Sequence, residues 1–151
     1  MTINVSLATV TASIADLSIQ GVTIKDIDAI PDSAKLLCPL LIPNPTRFIT
    51  DISTTRESTG GGGSALMNME YTLNYIYLHC QAPGGVSNFS NYAGLVENLV
   101  RIIEAILEND DIAGAVDMTF GNIDRIDTIQ DPAGNEFLGV MFSVRIKEFT
   151  Q

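Results

Sequence analysis

The segment 65–80, ALMNMEYTLNYIYLHC, constrains the fold of this chain more than any other. Met67, Met69, Tyr71, Leu73, Tyr75 and Tyr77 occupy one parity, and Leu66, Asn68, Glu70, Thr72, Asn74, Ile76 and Leu78 the other. Successive strand side chains point to opposite faces of a sheet. The pattern therefore predicts a strand that is apolar on one face in its first half and on both faces in its second. Strands average about six residues, so a run this long is expected to project beyond its sheet. Four glycines, Gly60-Gly61-Gly62-Gly63, precede it. They lead into a strand and lack the following Lys-Ser/Thr of a phosphate-cradling loop, which also needs a helix N-terminus behind it. The expected structure is an extended hairpin over about 46–80, with residues 48–55 as the other arm and a flexible tip at 56–64.

Two helices and several shorter strands complete the chain. Leu7, Val10, Ile14 and Leu17 share a stripe of about 3.6-residue period. Asn4 or Ser6 can cap that helix, and Gly21 suits the left-handed residue after its end. A stronger helix is predicted over 92–108, where Leu95, Val96, Leu99, Ile102, Ile103, Ile106 and Leu107 oppose Glu97, Arg101, Glu104 and Glu108. Val22 and Ile24 begin a short strand, and residues 36–42 read as another, ended by Pro43-Asn44-Pro45. Val116, Met118 and Phe120 alternate; Gly121-Asn122 marks a bulge; Ile123, Ile126 and Ile129 continue the apolar pattern. Asp131-Pro132-Ala133-Gly134 is a turn. In the closing strand Leu138, Val140, Phe142, Val144 and Ile146 point inward, with Gly139, Ser143, Arg145 and Lys147 outward. This order predicts one domain over 1–151 of α+β class: a mainly antiparallel β-sheet, two helices packed on one face, and an extended β-hairpin.

Eight Lys and Arg against eighteen Asp and Glu give a net charge of −10. The cations (Lys25, Lys35, Arg47, Arg56, Arg101, Arg125, Arg145, Lys147) form no run, which argues against direct binding to nucleic acid or an anionic membrane. Acidity serves solubility, or presents a face that nucleic acid passes without sticking. A hydrophobic fraction of 46% with 17% charge leaves apolar surface for a subunit interface. No apolar run approaches the roughly 18 residues of a membrane span. The opening MTINVSLATVTASIADL has neither the basic start nor the long apolar stretch of a signal peptide, so synthesis in a cytoplasm is expected.

Chemistry is sparse. His79, the single histidine, has no nucleophile motif around it, and a structural role is the expected one. Cys38 and Cys80 are too few for a metal motif and read as buried free thiols. Asp110, Asp111, Asp117, Asp124, Asp127 and Asp131 do not follow the spacing of a calcium loop. No catalytic, cofactor-binding or metal-ligating set is expected. The segment singled out for an interface is the glycine tip, Gly60, Gly61, Gly62 and Gly63, together with Leu66, Met67, Met69 and Tyr71. Methionine and tyrosine adapt well to a partner's surface.

The order of elements resembles that of the tail terminator (tail completion, head–tail joining) proteins of tailed bacteriophages. The resemblance covers nearly the whole chain: the N-terminal helix, the proline-flanked Leu37-Cys38-Pro39-Leu40-Leu41-Ile42-Pro43, the glycine-tipped hairpin, the aromatic run Tyr71 to Tyr77, the long helix and the closing strand. The Ser/Thr-rich first helix departs from it. The resemblance implies a non-enzymatic virion protein that forms a ring, usually hexameric, capping the tail tube and meeting the head connector or neck protein. Its partners would be itself, the tube protein and the connector, with DNA passing through an acidic lumen unbound, no cofactor and no membrane. Two other readings stand beside it: another neck or tail subunit of similar fold, and a small-molecule-binding α+β domain with its pocket near His79, Tyr75 and Tyr77.

Overall fold

The computed structural model describes residues 7–58, 65–81, 89–108 and 116–149. Its elements are α1 (Leu7–Ala15), β1 (Thr23–Ile24), a short 3-10 turn (Ile27–Ala29), β2 (Leu40–Pro43), β3 (Ile49–Ser58), β4 (Ala65–Gln81), α2 (Phe89–Glu108), β5 (Val116–Gln130) and β6 (Glu136–Phe149). The fold is α+β, with a mixed, mostly antiparallel six-stranded sheet and two helices. The strands run in the order β1-β2-β4-β6-β5; β3 pairs with β4 farther along the same side as β2. Among the described strands only β1 and β2 pair in parallel.

The 17-residue β4 is the axis of the sheet. On one side β6 runs antiparallel to it from Gln81↔Phe137 to Asn68↔Phe149. On the other, β2 covers Tyr75 to Leu78 and β3 covers Ala65 to Leu73. The sheet thus lengthens along with its long strand. Among the described residues, only Ala65 to Met67 with their β3 partners Arg56 to Ser58 extend past β6. The projection is shorter than strand length alone predicts, because β6, at 14 residues, is also long.

Alternation decides which face each strand buries. Tyr71, Leu73, Tyr75 and Tyr77 of β4, with Val140, Phe142, Val144 and Ile146 of β6, pack beneath Val10 and Ile14 of α1 and Leu95, Leu99, Ile102 and Ile106 of α2. Both helices therefore lie on one face, and the inward set expected for β6 is the buried one. A row of rings crosses this layer: Phe120 stacks on Phe142 at 5.8 Å, Phe142 on Tyr75 at 6.0 Å, and Phe48 meets Tyr75 edge-on at 5.9 Å. Each such contact contributes about 0.5–1.5 kcal/mol beyond the area it buries.

The second-half residues Ile76 and Leu78 of β4 enter a smaller cluster on the opposite face, with Leu40, Ile42, Ile129, Phe137 and Ala34. No helix covers it. The lid is the irregular stretch carrying Ala34 and the half-buried Ile30, Leu37 and Cys38. Here the sequence expectation needs correction. Residues 36–39 are not strand: the amides of Leu37 and Cys38 turn back to the Ala34 carbonyl at 3.0 and 3.2 Å, and Leu36 points outward, 94% exposed. The apolar run predicts strand throughout, but its first half folds over an apolar face that would otherwise meet water.

Two boundaries also shift. Helix α1 ends at Ala15, where Leu17 N bonds Ile14 O at 3.2 Å in a tightened last turn. Gly21 has the left-handed φ of 79° but serves the later turn closed by Val22 N and Ile19 O. Helix α2 begins at Phe89, ahead of the expected start. In β5, register breaks fall at Phe120/Asn122, as Gly121-Asn122 predicts, and again at Ile123/Ile126. Strand β5 is an outer strand of the sheet.

Candidate functional site

The segment singled out from sequence divides. Gly60, Gly61, Gly62 and Gly63, and most of the expected tip, lie outside the described residues. Leu66 and Met67 sit in the β3–β4 ladder opposite Glu57 and Arg56. Met69 is half-buried and packs against the main core. Tyr71 is 4% exposed, inside the subunit, and its hydroxyl donates to Glu148 Oε1 at 2.8 Å. That ring is core, not free surface, because β6 still flanks β4 at this level.

Glu148 is the polar residue that the sequence pattern hides. It continues the inward parity of β6 and is 1% exposed. Its Oε2 has no hydrogen-bond partner among the described residues. Burial raises its pKa, while the Tyr71 hydrogen bond lowers it, and the net shift is upward. Burial and the same bond push the Tyr71 phenol far above its ordinary range. The Tyr75 hydroxyl, also buried, likewise lacks a partner among the described residues.

His79 belongs to a polar clamp between β4 and α2. Asn98 Nδ2 donates to the Tyr77 hydroxyl at 2.8 Å, and that oxygen lies 2.7 Å from His79 Nδ1. Arg101 in turn donates to Asn98 Oδ1 at 3.2 Å. The Tyr77 hydroxyl and His79 Nδ1 thus share a hydrogen bond whose direction follows the imidazole tautomer. Gly94 makes room: a Cβ there would stand 3.0 Å from His79 Nε2. Burial lowers the His79 pKa and, as the leading cause, lifts that of Tyr77 to about 12. The arrangement fixes a helix to a strand and presents no activated nucleophile.

The sign of its pH dependence follows. A histidine whose folded pKa lies below its unfolded value resists protonation only in the folded state. Stability is therefore complete above the ordinary value of 6.5 and falls as pH drops below it. Asp131 acts in a lower window, and Glu148, shifted upward, has the opposite slope. Urea unfolding of the wild type and His79→Gln, from neutral to mildly acid pH, is expected to show a steeper decline for the wild type; equal slopes would remove the clamp's pH role.

Several concavities are shallow. A polar trough of about 300 Å³ on the open sheet face is lined by Asn44, Arg47, Thr50, Thr72, Asn74, Asn122 and Ser143 among others. Another, of about 440 Å³, lies between Leu7, Thr11, Asp26, Phe48 and Ile49. Neither is lined by His79. Among the described residues no three His, Cys, Asp or Glu converge as metal ligands, and no helix is long and apolar enough to cross a membrane.

The surface that stands out is on α2. Tyr92, Val96, Val100 and Leu107 are 42–46% exposed. At ~100° per residue they fall within roughly 80° of arc, joined by the half-buried Ile103. Glu97, Arg101, Glu104 and Glu108 border this stripe, all exposed. The sequence places Val96 and Leu107 in one wide apolar stripe with the rest; of that stripe the core takes Leu95, Leu99, Ile102 and Ile106. No protein-family model and no curated protein matches this sequence.

Proposed function

We propose that this chain is a structural subunit of a tailed-bacteriophage virion, assembling with copies of itself into a ring that caps the tail tube and joins it to the head connector. The observation that carries the assembly reading is the apolar stripe of Tyr92, Val96, Val100 and Leu107 along the outer flank of α2. A helix already anchored by its other face has no folding use for four exposed apolar side chains in line; they suit a contact with another subunit. The tail-terminator assignment itself rests on the resemblance in element order. In a closed ring one patch of each subunit meets a different patch on the next, and closure ends growth. An acidic inner wall repels the DNA phosphates moving past it.

Light scattering and negative-stain imaging, with and without tail-tube protein, test the assembly. The double variant Val96→Glu, Val100→Glu should stay folded and lose self-association by about 100-fold or more, since two charges would be buried unpaired at the contact. A variant that assembles like the wild type would sink the stripe as an interface. A folded subunit that remains monomeric even with tube protein would sink the ring itself. Loss of tail-length control in particles lacking the protein separates a terminator from another neck subunit.

A further inference from the structure

The open face of the sheet, opposite the helices, carries a row of polar side chains apart from both apolar clusters and from the α2 stripe. The ladders set Asn74 of β4 beside Ser143 of β6, and Ser143 beside Asn122 of β5. Asn44 joins the row from the far side, its amide donating to the Asn74 carbonyl at 2.9 Å. Directly paired residues share a face, and neighbouring strands lie about 4.8 Å apart. A β-bulge flanks the row on either side. In β3 the register slips between Thr50 and Ser53, where Asp51 takes a left-handed φ of 54°; in β5 it slips between Phe120 and Asn122. Bulges re-aim side chains, and a non-glycine residue at positive φ stores strain of the kind that gathers at ligand clamps. Two of the amides are fixed in place. Asn74 Nδ2 donates to the Phe48 carbonyl at 3.3 Å and to the Thr50 hydroxyl at 3.0 Å. Asn44 Oδ1 accepts from the Thr46 amide and hydroxyl at 3.1 and 3.0 Å. A Cβ at Gly121 would stand 2.6 Å from Ser143 Oγ, so the bare glycine leaves that hydroxyl its room. These residues line the trough of about 300 Å³, and Arg47, Asp124 and Met141 complete it.

We propose that this trough is a binding site for a neutral sugar of one or two rings. A sugar hydroxyl both donates and accepts, and a carboxamide offers a donor and an acceptor side by side. Polar groups repeated at strand spacing match hydroxyls on opposite sides of a hexose ring. The Arg47 guanidinium and the carboxylates of Asp51 and Asp124 add the stronger, charge-assisted donors and acceptors. One cation against two anions, in a chain of net charge −10, disfavours a phosphate or nucleotide. A metal ion is disfavoured too, since among the described residues no three His, Cys, Asp or Glu converge. Met141, 36% exposed, supplies an apolar contact for the C–H face of a ring. The volume stands at the small end of the roughly 300–1,000 Å³ of ligand pockets, which sets the limit on ring number.

The test is ligand-observed saturation-transfer NMR on the native full chain. The probes are glucose, galactose, mannose, N-acetylglucosamine, maltose and lactose, with glucose 6-phosphate as the charged control. At least one neutral sugar should bind saturably with a Kd of about 1 mM or tighter. Arg47→Met and Asn122→Leu change exposed side chains; each should melt like the wild type and weaken that sugar by about tenfold. Asp51→Gly relieves the left-handed backbone, so it should melt no lower than the wild type and still bind more weakly. The variant Val96→Glu, Val100→Glu alters the helix on the opposite face and should bind the sugar unchanged, which separates this site from the assembly surface. Three results would each overturn the proposal: no saturable binding of any neutral sugar, unchanged affinity in both Arg47→Met and Asn122→Leu, or tighter binding of glucose 6-phosphate than of glucose.

Discussion

Asp131→Ala is expected to lower the unfolding free energy by about 3–4 kcal/mol, by leaving the buried Ala34 amide and two part-buried turn amides without their acceptor. Asp131 is 7% exposed, and its carboxylate is an acceptor for two parts of the chain far apart in sequence. Oδ1 takes the amides of Ala133 at 3.0 Å and Asn135 at 2.9 Å, which shapes the turn between β5 and β6. Oδ2 takes the amide of Ala34 at 2.8 Å, 97 residues away, and so pins down the lid over the outer apolar cluster. Burial alone would raise the pKa of this carboxyl, but the amides of Ala34, Asn135 and Ala133 and the Asn135 side chain outweigh it and hold the value below 3.8. Its contribution is therefore present above that pH and is lost as pH falls through the folded value. Asp131→Asn keeps an acceptor oxygen and should lose about 1–2 kcal/mol. Urea midpoints of the three proteins at neutral pH decide the matter. A loss below about 1 kcal/mol for the alanine variant would mean that water replaces the carboxylate, and that the lid does not depend on it.

Gly139→Val is expected to abolish cooperative folding outright. A Cβ at Gly139 would stand 2.5 Å from the Tyr77 carbonyl oxygen, 3.1 Å from Ile129 Cδ1 and 3.3 Å from Leu78 Cδ2. The first neighbour is backbone of the adjoining strand and cannot swing aside. Gly139 pairs with Leu78 just where the β4–β6 register shifts before Cys80. Only a residue without a side chain lets the two strands approach this closely beside such an irregularity. Relief requires parting the central strands over two apolar clusters, at a cost comparable with a small domain's whole stability of about 5–15 kcal/mol. Circular dichroism and a thermal melt would show a broad or absent transition. Gly139→Ala should fold with a markedly lower Tm, and a valine variant that melts like the wild type would show that the sheet yields at this point.

Much of this architecture is legible along the chain, and the unread parts share a cause. The alternation of β6 and the helical period of α2 are local patterns, so they locate the main core directly. What decides the remaining features lies far off in sequence. Ile76 and Leu78 announce a second buried face, but nothing nearby tells that Ala34 and Leu37 will cover it. Asp131 reads as an ordinary turn residue until its second oxygen meets Ala34. Glu148 looks like a solvated charge near a chain end, yet parity places it under the helices beside Tyr71. Tyr71 itself looked available for a partner because the sequence gives no measure of how far β6 accompanies β4. In α2 the apolar stripe was evident, but a stripe wider than one contact face does not say which residues remain outside. Those residues are the ones on which the proposed assembly rests.

The two register breaks in β5 have a consequence for the life of the chain before it reaches any partner. An outer strand of 15 residues, left regular, would offer a long row of backbone groups to the same strand of another copy. Shifts at Phe120/Asn122 and Ile123/Ile126 cut that row into short lengths, and Asp124, Arg125 and Asp127 sit on or beside the second. Copies released from ribosomes at high local concentration thus meet an interrupted, charged hem rather than a template for endless fibres. The side-chain stripe on α2 is left for the proposed contact, while along β5 the backbone route to polymerisation is interrupted.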